Sequence, residues 1–249
     1  MLSHVDRFLD QTTTYKIILY ALIALTLQAF VGTFLEFVSF SFAELLVSFL
    51  VISSVTLCSH LLFRKLYGAK VSAESSYISL FILFLILAPS LEKGDVVMTA
   101  VASFVVIASK YIIAYRLRHI FNPVAFSLVF LGILGSTLSI WWVGAVYFFP
   151  TVLLLTFLIV RKLRCYSLFF SYVISSLLTV TLYAIFSGRG LDEAFTQHLI
   201  SWPFLFFGII MVTEPFTMPG RNFTQGVYGG IVGVLSSFPY AFPPFYSSL

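Results

Sequence analysis

Charge is scarce in this chain. Only 10% of its 249 residues are Asp, Glu, Lys or Arg, against 60% hydrophobic ones, a balance that excludes a soluble domain and leaves an all-α polytopic membrane protein. Cysteine is scarcer still. Cys58 lies inside an apolar run and Cys165 beside a basic loop, which excludes a disulfide framework and a thiolate metal site and reads as two structural thiols. The four histidines, His4, His60, His119 and His198, form no pair at metal or haem spacing. Phosphate-binding loops, dinucleotide fingerprints and serine-nucleophile motifs are missing, so the chain shows no machinery of its own for group-transfer catalysis. No small-residue cleavage site follows Asp6, Arg7, Asp10 and Lys16, so the first apolar run reads as a retained helix rather than a signal peptide. The alternation over ~10 residues that marks an outer-membrane barrel is absent too.

What is present is a series of continuous apolar runs. They predict nine spans, 17–38, 43–63, 76–90, 96–115, 123–138, 141–160, 166–187, 199–213 and 226–242. With the N-terminus cytoplasmic, twelve of the fourteen Lys and Arg residues fall on the inner side, and Lys93 and Arg189 alone fall outside. Glu92, Asp95, Asp192 and Glu193 occupy the outer loops instead. The net charge of +4 therefore reports orientation, and nucleic acid is not expected as a partner.

Two of the runs are short, each about fifteen residues against the ~20 that cross a bilayer. Ser76 to Ser90 carries Pro89 near its end, and Leu199 to Thr213 is closed by Pro215. Aligning the two prolines sets residues 17–138 against 141–242 as two repeats within one membrane domain, 1–249. A unit of five helices makes the second copy insert upside down. Phe242-Pro243-Pro244 lies where the first copy has Phe121-Asn122-Pro123, so the second repeat lacks its last helix. Such inverted repeats with short or broken helices surround binding sites at the membrane midplane.

Several residues are candidates for chemistry. Asn122 followed by Pro123 reads as a helix N-cap with proline at the first helical position, and alternatively as a helix start that offers its N–H groups to an anion. Glu214, between Thr213 and Pro215 at the end of a short helix, reads as an interfacial carboxylate or as a buried polar site that could hold a cation. Arg221 is its nearest candidate counter-ion. Gly226, Gly229, Gly230 and Gly233 stripe the last span and let either another backbone or a flat ligand approach. Ser75, Ser76 and Ser79 could line a polar cavity beside the first short helix. Glu36 and Glu44, around the first outer turn, are expected to face water.

His119 to Phe126 (HIFNPVAF), Met211 to Pro219 (MVTEPFTMP) and Gln225 to Leu235 (QGVYGGIVGVL) resemble the NqrB/RnfD family. Its members are membrane subunits of the sodium-pumping NADH:quinone reductase and of Rnf electron-transport complexes. Lys110, Phe121, Asn122, Pro123, Thr213, Pro215 and Gly229 match the family pattern, over roughly residues 72–235. The resemblance implies two inverted five-helix repeats in the cytoplasmic membrane of a prokaryote, holding flavin (FMN or riboflavin) and passing electrons. It also implies a soluble or fused ferredoxin-reductase-like electron donor and further membrane subunits. Lys110, His119, Phe121, Asn122, Pro123, Thr213, Glu214, Pro215, Arg221 and Gly229 would then form the cofactor region. Glu214 stands where the family has Asp. The Ala-Thr pair of its covalent FMN site is missing from this chain, which makes noncovalent flavin the expectation and Thr137 a weak alternative acceptor. A reading from another class is a transporter or channel for a small polar solute or a flavin. A third is an assembly subunit whose motifs only pack helices.

Overall fold

The structure is a computed structural model that describes residues 7, 9–68, 72–115, 118–201, 203–215 and 217–241. The chain divides into two compact units, Met1–Val143 and Gly144–Leu249.

Among the described residues, the first unit contains α1 (Thr14–Phe34), α2 (Phe42–Tyr67), α3 (Ala73–Ile86), α4 (Lys93–Ile112) and α5 (Pro123–Ile133). Local chemistry explains several of their ends. Ser41 and Glu44 form a capping box at the start of α2, and each side chain bonds the other's backbone N–H. Glu44 thus has a structural role, while Glu36 is exposed in the preceding turn. Gly68 ends α2 in the left-handed region at φ +60°, where a Cβ would be strained. A two-residue hairpin, β1 (Ala114–Tyr115) with β2 (Arg118–His119), joins α4 to α5.

Helix α3 is the core of this unit. Its residues 82–86 are buried on every side, as an all-apolar helix requires. Rings gather around its C-terminal half: Phe84 stacks on Phe30 at 5.8 Å and meets Phe49 and Trp142 edge-on at 5.4 and 5.5 Å. Past Ile86 the chain runs extended and bridges back to Ser139, with Ala88 N–H donating to Leu138 O and Trp141 N–H to Ile86 O. Nonhelical backbone in an apolar surrounding must be satisfied in this way.

The second unit holds α6 (Phe149–Leu163), α7 (Tyr166–Ser187), α8 (Leu191–Thr196), α9 (Phe204–Phe206) and α10 (Asn222–Ala241). One-turn 3-10 segments precede α6, π-turns continue α8 over Gln197–Ser201, and π-turns continue α9 over Phe207–Met211. The α8 and α9 segments form a helix pair bent by 52°, at Pro203, which cannot donate a helical N–H. Asp192 and Glu193 begin this helix, in the first turn of α8, where carboxylates suit the positive end of the helix dipole. They were expected in a loop before a helix starting at 199.

Each of the nine apolar runs contains helix; the 166–187 run is helical over the expected bounds, and the others differ in length. Among the described residues, five helices are long and apolar enough to cross a membrane, or six if the bent pair counts as one span. Helix α3 has 14 residues and α5 has 11, so the 76–90 and 123–138 runs end as extended or turn structure. The 141–160 run becomes regular α-helix only at Phe149. Outward faces carry large apolar side chains: Leu27, Leu61, Ile133 and Phe186 are all more than half exposed, as lipid contact requires. Phe242-Pro243-Pro244, which bears on the missing tenth helix, lies outside the described residues.

Candidate functional site

In the first unit, the motif lysine does something unusual for its type. Lys110, in the last turn of α4, is 4% exposed. Lysines near helix ends ordinarily extend to the membrane interface. This ammonium instead donates to the Ser75 carbonyl oxygen at 2.6 Å and to Ser75 Oγ at 2.9 Å, on the first turn of α3. Beside it, Ser76 Oγ lies 2.9 Å and the Tyr111 hydroxyl 3.4 Å from His60 Nδ1. Ser79 donates to Ser75 O. A lysine, a histidine, a tyrosine and three serines from α2, α3 and α4 thus meet at one end of the short helix. The serines expected beside a polar cavity are part of this cluster, whereas nothing in the sequence pattern joined His60 and Tyr111 to it.

The asparagine motif adopts its structural form. Asn122 Oδ1 accepts from Val124 N–H and Ala125 N–H at 3.0 and 3.1 Å, and Pro123 occupies the first position of α5. The cap therefore takes two of the N–H groups that the anion reading would leave open. Phe121 is exposed, and His119 is half-buried on β2 opposite Ala114. Thr137 is exposed in the turn after α5.

In the second unit, Thr213 is buried and its hydroxyl donates to Ile209 O. Glu214 and Pro215 are half-buried, and the Glu214 carbonyl closes a turn by accepting Thr217 N–H and Met218 N–H. Arg221 is exposed just before α10. Gln225, buried behind this loop, donates through Nε2 to Pro219 O at 3.0 Å. Of the two readings of the glycine face, the geometry supports packing. A Cβ on Gly229 would sit 2.3 Å from Leu168 O, and one on Gly233 would sit 2.1 Å from Ser175 Oγ and 2.5 Å from Tyr172 O. A flat ligand cannot enter at Gly229, because the backbone of α7 is already there.

A second polar cluster in this unit has no counterpart among the sequence expectations. His198 in the π-turn after α8 is fully buried, with Nε2 2.7 Å from Ser176 Oγ, and Ser176 Oγ lies 2.6 Å from Ser237 Oγ. Tyr172 stacks on Phe204 at 5.1 Å and donates its hydroxyl to Phe204 O at 3.0 Å. Tyr172 also fills the space beside Gly208, where a Cβ would lie 2.6 Å from its ring. Cys165, at the junction of α6 and α7, is fully buried, and burial pushes its thiol up to about 11. A thiol of that kind is inert at neutral pH.

Against the needs of a flavin, the ten candidate residues divide. Asn122, Pro123, Thr213 and Gly229 are committed to caps, turns and packing. Lys110 brings a cation into a buried polar cluster, and Glu214 keeps a half-buried carboxylate at a helix end. Among the described residues, no group of three or more His, Cys, Asp or Glu side chains could hold a metal ion. Comparison with protein-family models, curated proteins and solved structures finds no match.

Proposed function

We propose that this chain is a membrane-embedded electron-transfer subunit of the RnfD/NqrB type, built on an inverted repeat and binding flavin noncovalently. The observation that carries the reading is Lys110, the lysine of the motif, buried against the first turn of α3. Ionisable groups kept inside membrane segments are costly and mark functional sites. When bound, the flavin would supply one- and two-electron chemistry. Lys110 contributes positive charge toward its polar edge, and Glu214, in the other unit, is the candidate for holding a coupling cation. The electron donor is a soluble or fused ferredoxin-reductase-like protein, with other membrane subunits as partners, in the cytoplasmic membrane of a prokaryote.

The test is the visible spectrum of the detergent-purified protein before and after acid precipitation. Flavin bands released into the supernatant are expected, and they should be lost in Lys110→Met while the variant still elutes as a single species. That variant replaces the ammonium with an apolar group of similar length. Bands remaining with the pellet would point to Thr137 and covalent attachment. A protein that stays colourless after incubation with FMN or riboflavin overturns the reading.

One observation favours a permeation pathway for a small polar solute instead. The helix over 191–211 is broken at Pro203 and flanked by π-turns, the device by which transporters expose backbone groups to a solute. Solute flux through the chain alone in liposomes, without any flavin, would establish that alternative.

A further inference from the structure

Charge in the second unit is lopsided. Four of its five basic residues, Arg161, Lys162, Arg164 and Arg221, flank the starts of α7 and α10, whereas Asp192 and Glu193 begin α8. Helix α7 separates the two groups by 22 residues, about 33 Å of helix. Glu214 is the third and last acidic side chain of the unit. Even paired with one of the four cations, it leaves three uncompensated.

The packing of α7 against α10 gathers these charges. Ser167 Oγ donates to Asn222 O at 2.8 Å, and further along both helices Ser176 Oγ meets Ser237 Oγ at 2.6 Å. The contacts ascend together, so the two helices run parallel and start at the same end. Arg164 stands one turn before Ser167, and Arg221 immediately before Asn222. Arg161 and Lys162, in the last turn of α6, and Arg164, which caps it, answer the negative end of that helix dipole. The positive ends of α7 and α10 have no such answer, because neither helix carries an acidic residue in its first turn, and Arg221 adds to them. Orientation in the bilayer requires basic residues on one side of it, but not their convergence on two helix starts.

This end of the unit lies at the membrane interface. Val146–Leu163 and α7 are each long and apolar enough to cross a membrane, and only Arg164 and Cys165 separate them. Arg164, Tyr166, Arg221 and Phe223 are all exposed there. Tyrosine belongs to the interfacial belt, while Phe223, 81% exposed, calls for an apolar neighbour. We propose that the starts of α7 and α10 form a docking surface for an anionic phospholipid. Arg164 and Arg221 bind its headgroup phosphate, which matches the guanidinium fork, Arg161 and Lys162 add to the attracting field, and an acyl chain covers Phe223. A soluble phosphate would satisfy the arginines and leave Phe223 bare. The surface stands whether or not the chain binds flavin.

Native mass spectrometry of the full chain in a neutral detergent tests it, with phosphatidylglycerol and phosphatidylcholine titrated separately and the first bound lipid followed. We expect phosphatidylglycerol to bind about a hundredfold tighter, the scale of three uncompensated charges. Arg164→Gln combined with Arg221→Gln should weaken phosphatidylglycerol about thirtyfold, or about fivefold per cation removed, and leave phosphatidylcholine unchanged. Arg64→Gln combined with Lys65→Gln removes the exposed basic pair at the end of α2 and should change the phosphatidylglycerol affinity by less than about twofold, as for screened charges outside the surface. An unchanged affinity in the Arg164 and Arg221 variant overturns the proposal. So does an equal loss in the Arg64 and Lys65 variant, which would mean attraction by overall charge. Displacement of the lipid by an equal concentration of glycerol 1-phosphate overturns it in favour of a soluble phosphate. If the double variant does not elute as a single species, Arg221→Gln alone carries the test: a loss of about fivefold supports the surface, and no loss overturns it.

Discussion

The two units face one problem, that of ending or breaking a short helix in an apolar surrounding, and meet it with different chemistry. In the first, an indole spans the end of α3: Trp142 Nε1 lies 3.0 Å from both Phe84 O and Leu87 O. Backbone from residues 138–141 adds bonds to Ile86 O and from Ala88 N–H. In the second, one phenol reaches the break, Tyr172 OH to Phe204 O, and the unit is held by glycines that bring α10 onto the backbone of α7. Rings and distant backbone fill the first unit. Small residues remove the need for filling in the second. The contrast implies that the second unit is intolerant of added volume and that the first is intolerant of lost donors.

The largest effect should come from volume. Gly233→Leu drives a side chain into Tyr172 O and Ser175 Oγ, so it should cost more than about 3 kcal/mol, the upper end for overpacking, and abolish a cooperative melt in detergent. Gly230→Ala, three residues away with nothing within 4 Å of its Cβ position, should change stability by less than about 1 kcal/mol, on the favourable side. Equal losses in the two variants would break the comparison.

Next come the donors. Trp142→Phe orphans two carbonyls and should cost about 2 kcal/mol, whereas Tyr172→Phe orphans one and should cost about 1 kcal/mol, both read as shifts of the thermal midpoint. A larger loss for Tyr172→Phe would show that the second unit depends on its hydroxyl as much as on its glycines. The smallest effect concerns the thiols. Cys165, raised to about 11 by burial, is protonated at pH 8 and still ~99% protonated at pH 9. N-ethylmaleimide should therefore modify Cys58 alone, which is exposed, across that range by intact mass. Modification of Cys165 before denaturation would show that the α6–α7 junction opens.

How much of this was legible in the sequence depended on whether the signal was local. Apolar runs located helix in all nine segments, and Asn122-Pro123 announced a cap that the structure builds. Glycine spacing offered two readings, which the carbonyl of Leu168 separates. Helix ends were less legible, because Pro203 was read through as part of a 199–213 run although its missing N–H breaks the helix there. The histidine clusters left no trace. His60 meets residues 16 and 51 positions away, and Ser176 meets residues 22 and 61 positions away, separations at which no periodicity records a contact. Burial of Lys110 was equally hidden, since its position in the last turn of an apolar helix fits an interfacial lysine just as well.

The crossing between Ile86 and Lys93 has a consequence for biosynthesis. The carbonyls at the end of α3 find their indole partner 55 and 58 residues downstream, and Ala88 N–H waits for Leu138. Unpaired backbone is costly in hydrocarbon, so α3 cannot settle on its own as the nascent chain is threaded into the bilayer. It must stay sheltered by the insertion machinery, or lie at the interface, until Trp142 has been synthesised. The first unit is thus completed as one late event rather than helix by helix.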